Sequence, residues 1–144
     1  CPNRYAGSSH MNKKLPLVYA CSGCSSAAQM ANQMALWLDR ESKAEMSCIA
    51  GVGGGVTGLV NTARSQRPII ALDGCILACT AACLSQAGVR PDRHIVLSEF
   101  EVKKRKHVDF DPAQARAIYD HHIVPIAERL MGSALHGEDN HEKN

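Results

Sequence analysis

The segment Ile69-Ile70-Ala71-Leu72-Asp73-Gly74-Cys75 decides how the chain folds. Its first four residues form a continuous apolar run, as expected for a strand covered on both faces, which is the habit of parallel sheets. Asp73-Gly74-Cys75 is then the turn that leaves the strand's carboxyl end. The stretch from Ile76 to Ala87 reads as a helix, with Gly88 just past its end.

Upstream, Leu15 to Ala20 reads as a short buried strand with Pro16 near its start, where a missing donor is tolerable. Cys21-Ser22-Gly23-Cys24 follows as a loop, and Ser25 or Ser26 caps a helix from about Ala27 to Glu41. Met30, Met34, Trp37 and Leu38 recur there at helical spacing. Ala44 to Ala50 is a second strand candidate, resting only on Met46, Cys48 and Ile49. Gly51 to Gly58 reads as a glycine-rich loop, and Thr57 caps a helix from about Gly58 to Gln66. Downstream, His94 to Ser98 is a fourth strand, and a polar stretch carries the basic run Lys103-Lys104-Arg105-Lys106-His107. Asp111-Pro112 opens a last helix, running to about Met131, which Pro125 should kink or split.

Strands and helices thus alternate. That order predicts a single three-layer, Rossmann-like or flavodoxin-like α/β domain: a four-stranded, mostly parallel sheet with helices on both faces. Ligands of such sheets sit beyond the carboxyl ends of the strands. The expected boundaries are a vector-derived segment over residues 1–10, ending in Gly7-Ser8-Ser9-His10 before Met11, a domain over 11–135, and a polar, flexible tail over 136–144.

The composition suits an ordinary soluble domain: 144 residues, 45% apolar and 21% charged. A net charge of +2, with one Trp, three Tyr and two Phe, gives little with which to hold nucleic acid. No stretch approaches the roughly 20 apolar residues of a membrane helix, and no export signal is legible. The expectation is a cytoplasmic protein without nucleic-acid or membrane partners, whose partner is a metal ion.

With Cys1 set aside, six cysteines remain: Cys21, Cys24, Cys48, Cys75, Cys79 and Cys83. In a chain of this size with regular structure and no export signal, they favour metal binding or thiol chemistry over structural bridges. The topology gathers them. Cys21 follows the first strand, Cys48 lies near the end of the second, and Cys75 follows the third. Parallel strands point the same way and neighbours lie only about 4.8 Å apart. Cys79 would stand four residues from Cys75 on the same helical face, with Cβ atoms about 5–6 Å apart. Cys83 would lie eight residues from Cys75, about 12 Å along a helix, too far to share one ion; it reads as a small buried apolar residue. Cys21-x-x-Cys24 has the spacing of a zinc knuckle or of a redox pair. Five thiols thus compete for about four positions, and the fourth ligand is read as Cys48, with Cys24 as the alternate. An all-thiolate set suits zinc or an iron–sulfur cluster.

Cys21-Ser22-Gly23, Gln29-x-x-Asn32, Cys48-Ile49-Ala50-Gly51-Val52-Gly53-Gly54 and Ile70-Ala71-Leu72-Asp73-Gly74-Cys75-x-x-x-Cys79 together resemble the DGC-domain family of small bacterial and archaeal proteins. The similarity extends through Ala87-Gly88-Val89 and His94-Ile95-Val96-Leu97. The resemblance implies a zinc-binding protein with four cysteine ligands, matching Cys21, Cys48, Cys75 and Cys79. The expected function is a zinc site at the carboxyl edge of the sheet, used in metal handling or sensing. The alternatives are a thiol-redox or sulfur-transfer protein, or an iron–sulfur carrier, built on the same cysteines. No catalytic residue is assigned.

Other features carry less. Gly53-x-Gly55-x-x-Gly58 matches the dinucleotide pattern only formally, without a P-loop lysine or an acidic partner at the right distance. Its glycines are expected instead to let backbone approach the cysteines and donate N–H groups to sulfur. Asp73 reads as a helix cap, Gln29 and Asn32 as helix-surface residues within range of the site. His121 and His122 point about 100° apart, and His136 and His141 lie in the tail. The basic run reads as a solvated loop.

Overall fold

A computed structural model describes residues 15–132. The vector-derived segment expected over 1–10 and the tail expected over 136–144 lie outside the described residues. The elements are β1 (Leu17–Ala20), α1 (Ser26–Arg40), β2 (Glu45–Met46), α2 (Ile49–Gly53), α3 (Thr57–Ala63), β3 (Ile69–Asp73), α4 (Cys79–Gln86), β4 (Arg93–Val96), a 3-10 turn (Leu97–Phe100) and α5 (Pro112–Ile118). After α5 a π turn (Tyr119–Ile123) leads into further helix over 124–132. The sheet is parallel throughout, in the order β2-β1-β3-β4. This is the expected α/β class.

The two central strands form because every residue of β1 and of β3 is buried. Their alternate side chains feed two apolar layers. Val18, Ala20, Ile70 and Leu72 face α1 and α5. Leu17, Tyr19, Ile69 and Ala71 face Val52 of α2 and Leu84 of α4. Each fully buried large aliphatic contributes roughly 1.5–3 kcal/mol, so these layers dominate the fold's stability. Helix α1 begins where Ser25 Oγ accepts the Ala28 N–H at 3.1 Å, and it buries Met30, Met34 and Leu38. Among the described residues no helix is long and apolar enough to cross a membrane.

Four local expectations need correction. The second strand is only two residues long, and Cys48 already leads into α2. The stretch expected as a glycine loop is largely helical. Contact outweighs glycine's poor propensity there: a Cβ on Gly53 would lie 2.7 Å from Cys83 Sγ, and one on Gly51 would lie 2.0 Å from Leu59 Cδ1. The helix expected from Ile76 begins only at Cys79, because Cys75 to Ala78 form a turn that closes with Ala78 in the left-handed region at φ 51°. Cys75 and Cys79 therefore do not share a helical face. The fourth strand stops at Val96 and passes into the 3-10 turn. The last helix is interrupted as expected, by a π turn: the Val124 N–H reaches back to the Tyr119 carbonyl, just before Pro125, which has no N–H to give.

Candidate functional site

The chain leaves β1 toward β2 on one side, and β3 lies on the other, so the sheet changes direction between β1 and β3. There the Cys21 N–H extends the ladder to the Leu72 carbonyl at 3.1 Å, and the Gly74 N–H donates to Cys21 Sγ at 3.2 Å. Gly74 is required at that point. A Cβ would sit 2.5 Å from the Ala27 carbonyl carbon, where the start of α1 crosses the turn. The two strand ends and the start of α4 enclose a recess of about 190 Å³, lined by Cys21, Cys24, Cys75 and Cys79 together with Gly23, Leu77, Lys104 and Lys106.

Three of the four expected ligands, Cys21, Cys75 and Cys79, thus share one recess, with the alternate Cys24. Cys48 does not line it. It is exposed, at the end of β2 and the head of α2. Cys83 lies on α4, its sulfur against Gly53, and burial raises its pKa, with the charges of Cys79 and Asp73 adding to the shift. Cys21 is half-buried and its pKa is pushed up to about 11. Burial is the main cause; the Gly74 N–H opposes it, and Asp73, Cys79 and Cys75 reinforce it. The six described cysteines are all free thiols. Among the described residues, no three His, Cys, Asp or Glu side chains stand close enough to hold an ion between them. Four thiols as donors would suit a soft metal, and such an ion would have to draw the sulfurs together.

The surroundings explain why the thiols gather. Asp73 is 1% exposed, and its carboxylate accepts the Thr80 N–H at 2.8 Å and the Ala81 N–H at 3.3 Å. It caps α4 across the Cys75–Ala78 turn, a task Ala78 at the cap position cannot perform. His94 Nε2 lies 2.7 Å from the same carboxylate. Sequence reasoning missed His94 as a neighbour of the site. The signal was the strand register, Ala71 opposite His94, which turns it to the same face as Asp73. Gln29 does reach the site: its Nε2 donates to the Gly23 carbonyl and fastens the Cys21–Cys24 loop. The glycine-rich stretch has spent its donors internally, since the Gly54, Gly55 and Val56 N–H groups bond to Ala50, Val52 and Gly51 carbonyls. The expected close approach to sulfur occurs at Gly53 and Cys83; the N–H donated to sulfur comes from Gly74 instead.

The profile of the DGC domain matches residues 17–122. A curated relative, "Anaerobic and virulence modulator AnvM" of Pseudomonas aeruginosa, is 57% identical over 105 residues, covering 73% of this chain and 80% of the relative. No solved structure matches the chain. A domain match over that span, with a relative of that identity, leaves one conclusion: the chain belongs to the DGC-domain family.

Proposed function

We propose that this chain binds zinc through thiolates at the carboxyl edge of its sheet and acts in metal handling or sensing. The observation that carries the reading is the single recess lined by Cys21, Cys24, Cys75 and Cys79, drawn from two segments some fifty residues apart in sequence. Four sulfurs would close the coordination shell, so such a zinc is structural, stored or sensed rather than catalytic. Cys21, Cys75 and Cys79 are the common ligands. Cys24 supplies the fourth, since it lines the recess and Cys48 does not. The name of the P. aeruginosa relative, a modulator, fits a regulatory module better than an enzyme. The test is anaerobic purification followed by elemental analysis and thiol counting. One zinc per chain is expected, lost on Cys21→Ala, Cys75→Ala or Cys79→Ala. Loss on Cys24→Ala with retention on Cys48→Ala supports the recess set; the reverse restores Cys48. A colourless protein without metal in every preparation overturns the reading.

A second reading, thiol–disulfide exchange, is favoured by the exposure of Cys24 and Cys79 as free thiols beside half-buried Cys21 and Cys75. It requires a reducible disulfide, titratable in the metal-free protein.

A further inference from the structure

The basic run is not a loose solvated loop. The Ser26 N–H donates to the Arg105 carbonyl at 2.8 Å, and the Arg105 N–H donates to Ser26 Oγ at 3.0 Å. Ser25 and Lys106 form an antiparallel bridge. These bonds tie the run across the first turn of α1, directly beside the Cys21–Cys24 loop. Extended backbone sends successive side chains to opposite sides. The run is split accordingly: Lys103 and Arg105 line a recess beside Met30, whereas Lys104 and Lys106 line the thiol recess. Lys104 Nζ lies 3.5 Å from Cys75 Sγ. No Asp or Glu lines that recess. Among the described residues neither lysine is paired with a carboxylate.

Two exposed cations beside four thiols, with no carboxylate lining the recess, offer a complementary place for a negative counterpart. A divalent ion held by four thiolates is one: the sum leaves two negative charges, which two ammonium groups offset. Exposed charges also steer what approaches, over a range of about 10 Å at 0.1 M salt.

We propose that Lys104 and Lys106 form a cationic lip that makes the thiol recess select anionic visitors, whether small anionic thiol reagents or anionic metal complexes, over neutral ones, and that compensates the charge of a bound tetrathiolate. The compensation rests on the zinc reading above; the selection does not. The lip works by charge and needs no bond from lysine to metal, so arginine can replace lysine in it and glutamine cannot.

The test takes the full chain, reduced and metal-free, and compares alkylation by anionic iodoacetate and by neutral iodoacetamide, mapped residue by residue. At Cys75 the ratio of the two rates is expected to fall about three- to tenfold in the Lys104→Gln/Lys106→Gln double variant. The ratio should hold in the Lys104→Arg/Lys106→Arg variant and shrink in the wild type as salt rises. Cys48, outside the recess, is the internal reference and should not change. In a second arm, the glutamine variant should bind zinc about tenfold more weakly at unchanged stoichiometry, as loss of two exposed charge contacts would give. An equal ratio at Cys75 in the wild type and the glutamine variant overturns the lip, whatever zinc does. A wild type that binds no zinc overturns the zinc reading, and the ratio at Cys75 then decides the lip alone.

Discussion

Cys21 is protonated at neutral pH in the metal-free protein, because burial holds its pKa up at about 11. Two consequences follow in opposite directions. Its folded pKa lies above the ordinary thiol value of 9.0, so folding favours the protonated form. That contribution is complete below pH 9.0 and is lost as the pH climbs through about 11. Denaturant midpoints of the apo protein are expected to decline across that window, and Cys21→Ser should flatten the decline. Metal, by contrast, requires the thiolate, so loading must expel the Cys21 proton. Zinc affinity should therefore rise with pH, with proton release measurable by calorimetry in buffers of different ionisation enthalpy. Gly74 offers a second test at this scale. Its missing side chain makes room for the Ala27 backbone, so Gly74→Ala should cost roughly 1–3 kcal/mol by overpacking, read from urea denaturation.

At the scale of elements, α4 is held by its neighbours more than by its own sequence. It starts after a left-handed alanine with no side-chain cap of its own, and the buried Asp73 carboxylate takes over that role. Asp73→Ala is expected to destabilise the protein by roughly 1–3 kcal/mol, since the Thr80 and Ala81 N–H groups lose their acceptor. Hydrogen exchange should show the loss first in α4. The packing of α2 on α4 depends likewise on Gly53 against Cys83. Gly53→Ala should destabilise, and Cys83→Ala should relieve it. The double variant is expected to be more stable than Gly53→Ala alone, a coupling measurable by a double-mutant cycle. The turn from Cys75 to Ala78 leaves Ile76 86% and Leu77 68% exposed. The helix expected from Ile76 starts three residues later, at Cys79, where the Asp73 carboxylate caps it.

For the whole molecule, a bound ion would join the ends of β1 and β3 to the start of α4. An ion that binds only the folded state should raise stability by about 2.7 kcal/mol at a free concentration one hundred times its dissociation constant. Thermal unfolding with and without a chelator measures that shift, and the shift should vanish in Cys75→Ala. The Glu41 carboxylate ties α1 to α5 on the opposite side, bonding Arg116 Nη1 at 3.0 Å and the Tyr119 hydroxyl at 3.0 Å. Chelation should leave that corner unchanged.

The order of elements was legible in the residues alone. β1 and β3 are continuous apolar runs, Ser25 and Asp111 are conventional caps, and alternation of strand and helix admits little but a parallel sheet. From that order came the gathering of Cys21 and Cys75, since the topology by itself brings these strand ends together. What only tertiary structure decided was the rest of the recess. Sequence spacing assigned Cys79 to a shared helical face, whereas a turn capped from Asp73 sets its place. Topology placed Cys48 at the end of the second strand beside the other thiols, yet β2 is two residues long and hands Cys48 to α2, outside the recess. The basic run looked solvated because its partner, the Ser25–Ser26 backbone, is some eighty residues away in the chain. Local sequence fixes dihedral preference and apolar pattern; where a turn ends and which thiols meet depend on contacts between distant segments, and no local pattern encodes those.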